Sequence, residues 1–272
     1  MFYKISLAGD LGSGKSTVSD LLIKELGAKY YSTGAIVRSI ADKRGMTVVE
    51  LNKYMETHPE IDHEIDDGLI ALSDVDEPMI IDSRMAWHFT KGTFKVYLST
   101  DMQTSALRIM GANRRGEHNA TLEETVAATK ARRESEKKRY FEQYGVDIKD
   151  LSNYSLIVDT TVATPAQVCE CIVSAFQKWQ SNAEYKAVFI SPERINLPDD
   201  EPDAEKLMEY SAALERGEEL APIAVFEREG EFYLSSDVEL ALAYSFTMNT
   251  YIPAVLTDGE PSGEYVRMKN SL

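Results

Sequence analysis

Between the short apolar run Phe2–Ala8 and a helical stretch that continues to Leu26 lies the octapeptide Gly9-Asp-Leu-Gly-Ser-Gly-Lys-Ser16. It fills every fixed position of G-x-x-x-x-G-K-[ST] in a strand–loop–helix setting, and no other feature of the chain restricts the fold as much. Glycines let such a loop curl until successive backbone N–H groups face inward around an anion, where a Cβ would block close approach. The helix beginning at Lys15 turns the positive end of its dipole on the same point. Gly9, Gly12, Ser13, Gly14, Lys15, Ser16 and Thr17 are therefore expected to cradle the phosphates of a nucleoside triphosphate. Lys15 would reach the β- and γ-phosphates, and the Ser16 hydroxyl would ligate Mg²⁺.

Short apolar runs alternate with helical stretches through the first 180 residues. Strands are expected at Lys29–Ser32, Pro78–Asp82, Phe94–Leu98 and Ser155–Asp159. Helices are expected over Ala35–Met55, with a break near Gly45, and over Met102–Ala112, Leu122–Tyr144 and Pro165–Trp179. Strands this short, apolar on both faces and separated by helices, imply an α/β fold whose parallel sheet is covered on both sides. Asp82 ends one such run at the ligand edge of the sheet, where it either holds Mg²⁺ through water or caps a turn.

Four further landmarks follow the phosphate loop in order: Ser32-Thr33-Gly34-Ala-Ile-Val-Arg38, His58-Pro-Glu-Ile-Asp-His-Glu-Ile-Asp66, Ile81-Asp-Ser-Arg84, and Arg132-Arg-Glu-Ser-Glu-Lys-Lys-Arg139. Together they resemble the cytidylate kinases, most closely the compact archaeal type, over residues 4–176. The resemblance implies a P-loop kinase fold, ATP with Mg²⁺ as phosphoryl donor, and a nucleoside monophosphate, CMP or dCMP, as acceptor. By the same resemblance Ser32, Arg38, Arg84, Arg132 and Arg139 hold the acceptor, and Lys15, Arg132 and Arg139 serve the transfer itself. Arg108 and Arg114, with Arg115, fall where such kinases carry a lid over the donor. Asp159-Thr160-Thr161 falls where they contact adenine, although a plain turn fits those residues equally.

Arginine suits these roles because its planar fork matches phosphate oxygens. Arg132 and Arg139 stand two helical turns apart and so share a face. Arg133, Lys137 and Lys138 read instead as a solvated face paired with Glu134 and Glu136. The chain also departs from the pattern of the family. Lys15 stands where archaeal members usually carry threonine, and Ser83 replaces the glycine before Arg84. Met85 occupies the place of an aspartate that helps bacterial members read cytosine, and Asp67-Gly68 replaces two arginines. The last two changes lie on the acceptor side. They leave open a kinase for a modified nucleotide or hydroxylated base, and a nucleotide sensor with weak turnover.

The net charge of −16 is uneven. Residues 181–272 hold 19 acidic and 7 basic residues against 26 and 22 in residues 1–180, which places a domain boundary near 180. The expected division is a kinase-like domain over 1–180 and an acidic α+β domain over 185–272. The order of strands and helices in the second resembles a small ParB-like or sulfiredoxin-like domain over 185–257. Ser235-Ser-Asp-Val-Glu239 stands where such domains carry a nucleotide-binding turn, so no site residues are carried over. This part is expected to modulate, to recruit a protein partner or to pack, with all the chemistry in residues 1–180.

An acidic field repels phosphate backbones, which argues against a nucleic-acid partner. No apolar run approaches the roughly 18 residues of a membrane span, and the chain begins in a strand-like segment rather than a signal peptide. Cys169 and Cys171 point in different directions from one helix and cannot build a zinc site. His58, His63, His88 and His118 lack ligand spacing. A cytoplasmic setting is expected.

Overall fold

The computed structural model describes residues 3–112 and 121–268. Its first strand, β1 (Lys4–Gly9), is buried along its whole length, and this follows from its neighbours on both sides. β1 pairs in parallel with β3 (Met79–Asp82) and β4 (Thr93–Ser99), matching Leu7 with Asp82 and with Val96. β2 (Lys29–Ser32) joins the far edge of β3, and β5 (Leu156–Asp159) joins β4, both again parallel. The chain therefore leaves β1 for β2, two places away on one side, and later crosses to β4 on the other. Such a reversal opens a crevice at the carboxyl end of β1, the place where α/β sheets take ligands.

Helices cover both faces. On one, α1 (Lys15–Leu26) and α8 (Pro165–Ser181) bring Val18, Leu22, Val168, Ile172 and Phe176 onto Ile5, Leu7, Val96 and Val158. α8 starts where it does because Thr164 and Gln167 cap each other's backbone and Pro165 needs no N–H partner. On the other face, α4 (Glu60–Ala71) and the short α5 (Ala86–Phe89) pack Leu69, Met85 and Ala86 onto Met79 and Ile81. The expected long helix over Ala35–Met55 is two, α2 (Thr33–Arg44) and α3 (Val48–Met55). Gly45 at φ 66° ends the first, and a Thr47–Glu50 capping box starts the second. α6 (Met102–Gly111) and α7 (Leu122–Tyr144) reach out over the crevice and pack on each other. Arg114, Arg115 and His118 lie between them, outside the described residues.

Beyond α8 the sheet continues. β6 (Ala187–Ile190) pairs in parallel with β5, and β10 (Ile252–Leu256) runs antiparallel on its other side. β8 (Ile223–Arg228), β9 (Glu231–Leu234), β7 (Ile195–Pro198) and β11 (Tyr265–Arg267) follow outward, making one sheet of eleven strands among the described residues. α9 (Ala204–Glu215) and α10 (Val238–Phe246) pack together over this part. The expected boundary at 180–185 thus falls in the connection between two adjacent, paired strands. The core crosses it too: Tyr97, Tyr154 and Ile157 share one buried cluster with Val188, Ile190, Ile223 and Leu240.

Candidate active site

The octapeptide curls around the carboxyl end of β1. Gly9 has φ 147°, and a Cβ there would lie 2.4 Å from the Leu98 carbonyl oxygen; at Gly12, φ 73°, it would lie 2.6 Å from that of Ser105. Both positions need glycine. Gly14, also left-handed, is the N-cap of α1 and supplies no side chain, so the first N–H groups of the helix stay available to an anion. Ser13 is buried and donates to the Asp10 carbonyl at 2.8 Å, locking the curl, while Ser16 and Thr17 are exposed at the helix start. Lys15 folds back over the loop to the carbonyls of Gly9, at 3.1 Å, and Asp10, at 2.9 Å. Burial lowers its pKa to about 8, with Asp82 opposing the shift and Arg84 adding to it.

Asp82 comes to the same mouth from β3 and accepts from the Tyr30 hydroxyl at 3.0 Å. Ser16 and Asp82 are oxygen donors, the type Mg²⁺ takes. Among the described residues no cluster of three or more His, Cys, Asp or Glu is placed to hold a metal by itself.

Beside this loop a second cleft opens between α2, α3, α4 and α7. Arg38, Arg84, Arg132 and Arg139 all line it, together with Asn52, Asp62, Asp66 and Glu136. Ser32 lies at its edge as the N-cap of α2, its hydroxyl accepting from Ala35 N at 3.2 Å. Glu136 organises the arginines. It is buried, and its two carboxylate oxygens meet Arg84 Nε at 2.6 Å and Arg132 Nε at 3.1 Å. Burial alone would raise its pKa; Arg84, Arg132 and Arg139 outweigh burial and hold it below the usual range. Arg139 is buried as well, 3.3 Å from the Asp62 carboxylate and 3.3 Å from the Asn52 carbonyl. Deeper in the cleft, the Tyr144 hydroxyl donates to Asp66, whose pKa burial raises to about 6.

The helix face around Arg132 divides differently from the sequence expectation. Lys137 is half-buried and Lys138 exposed, and they pair with Asp147 and Glu142. Glu136, expected on that solvated face, points inward. Arg133 also leaves it, because one residue beyond Arg132 lies about 100° further round a helix and here faces the phosphate loop. Its Nη2 lies 3.6 Å from Asp10 Oδ1, and Lys149 pairs with the same carboxylate. Tyr97 and the Thr100 N–H, at 2.9 and 3.0 Å, complete the shell around Asp10, and the two cations hold its pKa well below the usual carboxylate range despite burial.

Arg108 approaches the phosphate loop from α6. Its guanidinium lies 3.4 Å from the Gly12 carbonyl and donates to the Thr160 carbonyl at 2.6 Å. A larger cavity of about 1020 Å³ extends from Gly9 and Asp10, past Arg133 and Lys149, to Glu227 and Arg228 at the end of β8 and Glu229 in the turn after it. Residues after 185 therefore form part of the wall beside the phosphate loop.

The family model described as the cytidylate kinase-like family matches residues 4–162. The cytidylate kinase of Thermoplasma volcanium is 34% identical over 186 residues, 67% of this chain and 95% of that protein. The cytidylate kinase of Pyrococcus furiosus is 36% identical over 172 residues, 63% of this chain and 86% of that protein. Among solved structures, a gluconokinase from Sinorhizobium meliloti aligns over 66% of this chain and 95% of its own with a TM-score of 0.46 and 13% identity. Phosphate loop, arginine cleft and matched residues coincide in one part of the sheet, and the chain belongs to the cytidylate kinase-like family.

Proposed function

We propose that the protein transfers the γ-phosphoryl group of ATP to CMP or dCMP. The observation that carries the reading is the meeting of Arg84 and Arg132 on Glu136 between the phosphate loop and the second cleft. Phosphoryl transfer asks a protein chiefly to align two phosphates and neutralise their charge. The loop N–H groups and Lys15 would hold the donor, with Arg108 beside them. Arg38, Arg84, Arg132 and Arg139 would hold the acceptor phosphate, and Glu136 keeps two of those guanidinium groups apart and aimed. Mg²⁺, when bound with ATP, would neutralise charge on the β- and γ-phosphates, with the Ser16 hydroxyl and the Asp82 carboxylate as the chain's donors.

Base choice is supported by Asp62 and Asp66 in the inner part of the cleft. Carboxylates accept hydrogen bonds from an exocyclic amine, which cytosine has and uracil lacks. The names of the relatives point the same way. Among the described residues no helix is long and apolar enough to cross a membrane, and Cys169 and Cys171 are free thiols. The test is ADP release from ATP across a panel of nucleoside monophosphates. CMP or dCMP should give the highest kcat/KM, and turnover confined to another monophosphate would replace this reading.

A further inference from the structure

Arg194 is the largest of the fully buried side chains, with no solvent exposure, and it belongs to the part of the chain beyond the family match. It begins a continuous set of contacts. Arg194 Nη1 lies 3.0 Å from Asp159 Oδ1 and 3.2 Å from Thr161 Oγ1, while Nη2 donates to the Gly230 carbonyl at the β8–β9 turn. Thr161 Oγ1 in turn donates to Asp159 at 2.8 Å and accepts the Asp101 N–H at 3.2 Å, at the start of α6. Arg108 donates to the carbonyls of Thr160 and Thr161 at 2.6 and 3.3 Å, and reaches the Gly12 carbonyl of the phosphate loop.

A buried ion pair contributes little net stability against an apolar replacement, yet it fixes geometry through its directional bonds. Here the two bonds of Nη1 end on Asp159–Thr161, the segment whose carbonyls anchor Arg108 beside the phosphate loop. From this chain of contacts we infer that residues beyond 185 are part of the donor site, with Arg194 as a positioning residue that sets Arg108 through Asp159 and Thr161. The inference rests on the reading of the phosphate loop as the ATP site.

Direct binding of Mg·ATP and of CMP, each measured calorimetrically on the full chain, separates positioning from stability. Arg194→Met leaves Asp159 buried and unpaired. The double variant Asp159→Asn, Arg194→Met removes both charges and should recover most of the lost melting temperature. Both variants should bind Mg·ATP about tenfold more weakly and CMP as the wild type does, and Arg108→Met should show the same split. If Arg194→Met does not fold, the double variant decides alone. A double variant that melts near the wild type and binds Mg·ATP with unchanged affinity would overturn the inference. Absence of CMP turnover in the wild type would instead count against the proposed reaction, and the ATP affinities would still test the role of Arg194.

Discussion

Glu136 stands 2.6 Å from Arg84 and 3.1 Å from Arg132, and this one carboxylate ties a β-strand end to the middle of a long helix. It is i+4 from Arg132 and i−3 from Arg139, so helical geometry puts all three on one face. Removing its charge leaves three guanidinium groups without their shared counter-charge. Glu136→Gln should reduce kcat/KM for CMP at least about tenfold, with the affinity for Mg·ATP close to that of the wild type. Steady-state kinetics with each substrate varied in turn checks this, and a loss confined to ATP would contradict it.

If the loop holds a γ-phosphate as proposed, Lys15 is the loop's own cation for the charge that develops there. Lys15→Ala should lower turnover at least about a hundredfold. With its pKa near 8 in the free protein, the side chain loses its proton as the pH rises past that value. The kcat/KM for ATP, which reports free-enzyme groups, should therefore fall above about pH 8. Lys15→Arg, however active, should lack this break, because a guanidinium stays charged. A break that persists in the arginine variant would assign it to another group.

Asp66 carries a stability prediction. Its pKa is about 6 in the folded chain against 3.8 for the free side chain, so the folded state binds the proton more tightly. That contribution is fully present below about pH 4 and is lost as the pH rises towards 6. Asp66→Asn should remove it, since the amide does not titrate and its oxygen still accepts from Tyr144. Melting of the wild type relative to the variant should therefore decline across that interval. A constant difference between pH 4 and pH 7 would refute the assignment.

Ending the chain at Ser181 would strip β6 from β5 and leave the edge of β5 unpaired. It would also uncover Tyr97, Tyr154 and Ile157 and take Arg194 away from Asp159. The truncated protein should show no cooperative melt, or should melt far below the full chain and aggregate. Circular dichroism with light scattering tests this. A cooperative, monomeric truncation with normal affinity for Mg·ATP would show that residues 1–180 stand alone.

Much of this arrangement is legible in the sequence where a local rule acts. The phosphate loop, with its three left-handed or strained glycines, and the ends of α7, with the Thr121–Glu124 capping box at its start and Gly145 after it, are examples. α4 is not anticipated, although Ile61, Ile65 and Leu69 carry its period after Pro59. The inward turn of Glu136 follows from the same spacing that brings Arg132 and Arg139 together, and only the habit of placing a carboxylate among lysines on the surface hides it. Arg133 and Lys149, each with Asp10, and Arg194 with Asp159 join residues 35 to 139 positions apart. No periodicity reports such pairs. The uneven charge of the chain marks where the family match gives way to the acidic part, but a sheet passes through such a boundary whenever the next strand finds an unpaired edge, as β6 does on β5.

On the proposed reading, the loop at Gly9–Ser16 and the arginine cleft act on one transferred group. Incubating the full chain with Mg²⁺, γ-³²P-labelled ATP and CMP, then separating the nucleotides, follows that group directly. The expected result is label in the β-position of CDP, formed in step with ADP and absent when CMP is omitted. Label that stays in ATP, or appears only as inorganic phosphate at a rate CMP does not change, would contradict it.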